Sequence, residues 1–223
     1  MEKTSKKFDF VSFLTESFTF ILACLLKPVT AIKNKINEYA DVKSAGLLVI
    51  LVSLCRMIIG LLNNMIGAIF VKQRNFLKGT TSLTVSFDGL KELDYFNIIV
   101  KQFVGFIIVV AAVAGVYYVV SCVMKKTVNY FKLVSITTVS FVPMFITGLL
   151  ATIIGYIYIP LSVFVVFASL VYSVITFVKS VNDELKLEGD MTVYIQTICL
   201  TIVFVITYYV LSNYITGLFG SLF

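Results

Sequence analysis

Between residues 133 and 178 the chain carries no charged side chain at all. At about 20 residues per crossing, such a stretch holds two membrane spans and a turn. The turn falls in GYIYIP, 155–160, because Ile159 precedes Pro160 and is held out of the helical region. Similar apolar runs occupy residues 45–70, 100–124 and 193–213. The pattern therefore predicts five spans, at about 45–70, 100–124, 133–157, 160–178 and 193–213.

The first 44 residues have a different rhythm. In FDFVSFLTESFTFILACLLK, 8–27, Phe10, Phe13, Leu14, Ile21 and Leu25 recur at helical spacing, with Asp9, Ser12, Glu16 and Thr19 opposite. The uninterrupted apolar part before Lys27 is too short to span, so an interfacial helix lying on the membrane is expected. Glu16 interrupts what would be the core of a signal peptide. ILAC, 21–24, loosely resembles a lipoprotein cleavage site, but the upstream acids and the later spans argue against processing. Pro28 stops this helix. Residues 30–43 then begin a second short, basic amphipathic helix, with Thr30 as its N-cap. In the 71–97 connection, Leu83, Val85 and Phe87 alternate as a short extended piece. Asp88 is expected to cap a helix running into the second span. The predicted organisation is an interfacial region, 1–44, followed by a five-helix transmembrane domain, 45–223. The fold class is an all-α integral membrane protein.

Composition sharpens this picture. Hydrophobic residues make up 59% of the 223 and charged residues only 13%, against about a quarter charged in soluble domains. The net charge of +6 does not point to nucleic acid, because the basic residues form no dense cluster. Their placement reports orientation instead. Twelve lie in the N-terminal segment and the 125–132 and 179–192 loops. Five (Lys72, Arg74, Lys78, Lys91, Lys101) lie on the other side. The positive-inside rule puts the N-terminus in the cytoplasm and the C-terminus outside the cell membrane. Cys24, Cys55, Cys122 and Cys199 are far apart, with no metal or redox spacing. Histidine is absent, which removes the commonest general base and metal ligand.

SITTVSFVPMFITGLL, 135–150, places Pro143 inside an apolar run preceded by Ser135, Thr137, Thr138 and Ser140. In a span, neighbouring hydroxyls can re-satisfy carbonyls that proline frees, so a kinked third span is expected. The longer segment 125–150 reads as a basic entry, an aromatic-lysine step, a small-polar stretch and a proline. FILACLLKPVTAIKNKI, 20–36, reads as an apolar helix, Lys27–Pro28 and a basic helix. With five spans, this resembles the YIP family of Rab-GTPase-interacting membrane proteins and their bacterial relatives, over roughly residues 20–213. The Asp-Leu-Tyr-Gly-Pro element of the eukaryotic members does not occur, and only about 40 residues precede the first span. The resemblance therefore implies a bacterial-type relative acting as a scaffold or partner in a membrane assembly.

Arg56 is the one basic residue deep in a span. A charge there costs about 2.5–3.5 kcal/mol on insertion scales, so it must face protein, water or a headgroup. Asn63 and Asn64 are positioned to form a polar pocket with it; equally, Arg56 can snorkel or pair for packing alone. Gly60 with Gly67, Gly148 with Gly155, and Ala111 with Gly115 mark expected helix contacts. Pro28, Pro143 and Pro160 mark breaks or kinks. Acids cluster at Asp183, Glu184, Glu188 and Asp190, where a solvated loop is the expected reading. No catalytic triad, phosphate loop, cofactor motif or zinc spacing appears. The expected function is a non-enzymatic adaptor with no cofactor, whose partners are membrane lipids and other membrane proteins or a second copy. The alternative is a transporter or lipid-handling subunit built around Arg56.

Overall fold

The computed structural model describes residues 10–75 and 80–219. Lys78 and the predicted apolar tail at 220–223 lie outside them, as do the first nine residues and the side chains of the 193–213 span beyond Val205. The chain runs α1 (Phe10–Leu26), α2 (Pro28–Lys35), a 3-10 turn (Ile36–Tyr39) and α3 (Val42–Ile69). A hairpin of β1 (Phe70–Asn75) and β2 (Thr80–Val85) follows, then a second 3-10 turn (Asp88–Glu92) and α4 (Tyr95–Val123). The rest is α5 (Tyr130–Ser140), α6 (Val142–Ile157), α7 (Ile159–Leu185) and α8 (Asp190–Phe219). Among the described residues, four helical stretches are long and apolar enough to cross a membrane: α3, α4, α5–α6 taken together, and α7.

All three prolines begin helices. Pro28, Pro143 and Pro160 each sit in the first turn of α2, α6 and α7, where the missing N–H costs no hydrogen bond. The third crossing is therefore two helices meeting at Phe141, rather than one kinked rod. Nor do the threonines serve the carbonyls that Pro143 frees. Thr137 and Thr138 donate to Leu133 and Val134, each at 2.8 Å. The Phe141 N–H turns back to the Val139 carbonyl instead.

Helix α5 is the centre of the molecule. Every residue from Leu133 to Ser140 is buried, and the helix packs against α1, α2, α3, α4 and α7. Its all-round burial explains its composition, since small hydroxylated residues let neighbouring backbones approach while bonding to their own helix.

The N-terminal pair is built into the bundle. Tyr39 is buried, stacked on Phe20 at 5.0 Å between ring centres, and shares a 3.2 Å hydrogen bond with Ser17. The Ser135 hydroxyl donates to the Tyr39 carbonyl at 2.7 Å. Further along α1, the Tyr172 hydroxyl donates to the Leu25 carbonyl at 3.3 Å. Tyr172 is the midpoint of α7, so α1 reaches halfway along that helix. While Ser17, Phe20, Ile21 and Cys24 are buried, Val11, Leu22 and Leu26 on other faces stay exposed. Ser12, Thr15, Glu16 and Thr19 are exposed too, so α1 keeps a polar face while its other side packs into the bundle instead of lying on the membrane surface as expected.

Three connections meet on one side. Asn129 caps α5 and donates to the Ala40 carbonyl at 2.7 Å. Lys126 donates from Nζ to the carbonyls of Leu185 and Lys186, at 2.6 and 2.8 Å. The lysine thereby closes the C-terminal end of α7, where cations are favoured. At the opposite end, β1 and β2 pair antiparallel from Phe70↔Val85 to Asn75↔Thr80. The helix expected from Asp88 is instead the short 3-10 turn, and Asp94 caps α4 by accepting from the Asn97 N–H at 3.0 Å. Gly89 permits that turn, because a Cβ there would lie 2.7 Å from the Ala68 carbonyl oxygen.

Candidate functional site

Helix α3 carries Arg56 to the level of two aromatic residues. The guanidinium carbon lies 4.6 Å from the ring centre of Phe145 on α6 and 5.6 Å from that of Phe106 on α4. The rings themselves meet edge to face at 5.0 Å. Aromatic faces attract a guanidinium by cation–π contact, worth about 2 kcal/mol or more when desolvated. Nε of Arg56 is buried without a hydrogen-bond partner.

Neither asparagine joins this arrangement. Asn64 donates back to the Gly60 carbonyl at 2.8 Å, and Asn63 Oδ1 is buried without a partner. Among the described residues, no hydrogen bond links Arg56 to either. What the structure assembles around Arg56 is an aromatic clamp, whose members, Phe106 and Phe145, nothing in the linear spacing singles out.

The small residues divide. At Gly60 an added Cβ would come within 2.6 Å of Gln102 Cγ on α4, so this glycine lets α3 and α4 approach. Gly155 is tight against Ser162 across the α6–α7 turn, at 3.3 Å, while Gly67 meets only the Tyr156 hydroxyl at 3.8 Å. A Cβ at Gly115 or Gly148 would enter open space, so these two do not mark contacts within the chain. The Ala111 carbonyl accepts from the Tyr130 hydroxyl at 3.3 Å.

A polar cavity of about 210 Å³ lies where α2 crosses the ends of α5 and α7. Lys33, Asn37, Lys132, Ser180, Asp183 and Glu184 supply its polar groups. Ile32, Ile36 and Ile136 form an apolar wall. Lys132 and Glu184 pair at 2.6 Å and are mostly buried. Ser180 is buried, and its hydroxyl is sealed from solvent without a hydrogen-bond partner. Two members of the acidic run, Asp183 and Glu184, thus line a cavity. Ser180 lies outside any charged run, and only the fold places it in the cavity wall.

A second polar connection ties α8 to its neighbours. The Tyr117 hydroxyl on α4 donates to Gln196 Oε1 at 2.7 Å, and Gln196 Nε2 donates to Asn182 on α7. Nearby, Tyr117 meets Phe177 edge to face at 5.0 Å.

The break before Pro143 and the Lys27–Pro28 step between α1 and α2 are the two features on which the YIP resemblance rests. The family model described as the Yip1 domain matches residues 22–216. The chain belongs to the Yip1 domain family. It is a multi-pass membrane protein of YIP type. The Yip1 match takes in the whole of α2 to α7, and so both the Arg56 clamp and the charged cavity. No curated protein and no solved structure matches the chain.

Proposed function

We propose that this Yip1 protein is a non-enzymatic scaffold in a membrane assembly, with five crossings, a cytoplasmic N-terminus and an extracytoplasmic C-terminus in the cell membrane. The observation that carries the reading is the way α8 is attached. It packs chiefly on α4, through Gln196 and the buried Cys199. Val193, Tyr194, Ile198 and Phe204 point away from the bundle. A helix held along one edge leaves most of its circumference for lipid or for a partner's helix, here another membrane protein or a second copy.

The fifth crossing rests on length. Helix α8 has 30 residues, about 45 Å at 1.5 Å per residue, against a hydrocarbon core of about 30 Å. The N-terminal pair, α1 and α2, enters from the cytoplasmic side and packs into the bundle as far as the middle of α7. The basic residues of the 125–132 and 179–192 loops, on the side where residues 40, 129 and 185 meet, support the orientation.

A photoreactive residue in place of Tyr194 or Ile198, activated in native membranes, tests the scaffold role. The reading expects one discrete protein adduct at these positions and none at Phe164 on α7. Adducts to lipid alone at both would remove its support.

Lipid handling is the second reading. It is favoured by the charged cavity at the end of α5 and α7. The clamp of Phe106 and Phe145 on Arg56 favours a packing role for that residue.

A further inference from the structure

We propose that the cavity between α2, α5 and α7 binds a phosphoethanolamine group, carried by a membrane phospholipid or by a soluble ester. The charges on its wall sum to zero, two lysines against two acids. A purely anionic headgroup would want an excess of cations. Lys132 and Glu184 already satisfy each other at 2.6 Å. Lys33 and Asp183 remain, both exposed and with no ion-pair partner among the described residues. They offer one cation and one anion on opposite helices, α2 and α7, which is the complement of a ligand carrying both charges.

The exposed Lys33 ammonium is available to a phosphate oxygen of such a ligand. The ligand's own ammonium then donates to Asp183. The methyl groups of choline would present no donor there.

Depth and size agree. Ser180 is five residues, about 8 Å, from the end of α7. That is a headgroup's distance inside the basic side. A volume of about 210 Å³ holds roughly seven waters at about 30 Å³ each. This accommodates a group of about eight non-hydrogen atoms, with Ile32, Ile36 and Ile136 facing its hydrocarbon part. The inference needs only that the cavity open toward headgroups or solvent, and it does not depend on the scaffold role.

The test is thermal unfolding of the purified full chain in detergent. It is titrated with dioleoyl phosphatidylethanolamine, phosphatidylcholine or phosphatidylglycerol, and separately with soluble phosphoethanolamine. A ligand that binds the folded state raises the midpoint. The ethanolamine lipid should raise it most. Lys33→Gln and Asp183→Asn, both at exposed positions, should each weaken its apparent affinity roughly tenfold or more while leaving the lipid-free midpoint unchanged. Ser180→Ala, which removes a hydroxyl sealed within the wall, should leave that affinity unchanged. Stabilisation by soluble phosphoethanolamine equal to the lipid's assigns the soluble ester as the source; a response to the lipid alone assigns the lipid. Equal stabilisation by choline lipid would overturn the proposal, as would a larger effect from phosphatidylglycerol or no dependence on Lys33 and Asp183.

Discussion

The Ser135 hydroxyl donates to the Tyr39 carbonyl at 2.7 Å, across 96 positions of sequence. That bond fastens the N-terminal pair to the buried centre of the bundle. Ser135→Ala leaves a buried carbonyl unsatisfied and should cost about 1–3 kcal/mol. Tyr39→Phe loses only the Ser17 hydrogen bond, about 1 kcal/mol, because the stack on Phe20 survives. Tyr39→Ala loses both and should cost about 3–5 kcal/mol. Unfolding midpoints of the purified variants rank the three.

Arg56 is expected to tolerate an apolar replacement better than a conservative one. Arg56→Leu gives up a cation–π contact of about 2 kcal/mol but removes an insertion cost of about 2.5–3.5 kcal/mol. Its stability should equal or exceed the parent's. Arg56→Lys keeps the charge and loses the planar contact, so it should be less stable than either. Expression and melting of the pair decide this, and the reverse ranking would mean that Arg56 has a polar partner.

Two glycines make a paired comparison. Gly60→Ala drives a Cβ against Gln102 and should cost about 1–3 kcal/mol. Adding Gln102→Ala should recover most of that loss. Gly148→Ala meets nothing and should gain up to about 1 kcal/mol from helix propensity. Melting of the three variants is sufficient.

Asp41 gives the chain an acid-sensitive joint. Its carboxylate accepts from the Ser44 and Lys43 N–H groups at 2.9 and 3.0 Å. The Ser44 bond first, helped by the Lys43 bond, lowers its pKa below the ordinary carboxylate range despite some desolvation. A lowered folded pKa means stabilisation that is present above the unfolded value and lost as pH falls through the folded one. The contribution should therefore be constant at neutral pH and fade below about 4. Asp41→Asn should keep most of the cap and flatten that part of the pH profile, read from midpoints between neutral and acid.

What was legible from sequence follows from range. Charge-free runs and basic loops are local signals, and four of the expected spans came from them. The prolines read as a stop and a kink in the sequence, whereas Pro28 and Pro143 begin helices and Lys27, not Thr30, caps α2. The docking of α1 was not legible, because Ser17, Phe20, Tyr39 and Ser135 come from three segments with separate periodicities. Half of the β hairpin was visible in the alternation at Leu83, Val85 and Phe87; its partner strand, polar at Lys72, Gln73 and Arg74, gives no alternating signal. Asp88 is expected to cap the helix into the second span, but Asp94, six residues on, takes that place. The cavity was hidden because its lining comes from α2, α5 and α7. Of the acids of 182–190, Asp183, Glu188 and Asp190 are exposed as expected and only Glu184 is drawn in, paired with Lys132. The Arg56 clamp was hidden because its rings come from α4 and α6.

Native mass spectrometry of the protein extracted directly from membrane into lipid nanodiscs tests the scaffold role most directly. A reproducible, stoichiometric second protein or second copy, lost when Tyr194 and Ile198 are replaced by bulky charged residues that leave the fold intact, is the predicted result. A single chain carrying only bulk lipid, unchanged by those replacements, would contradict it.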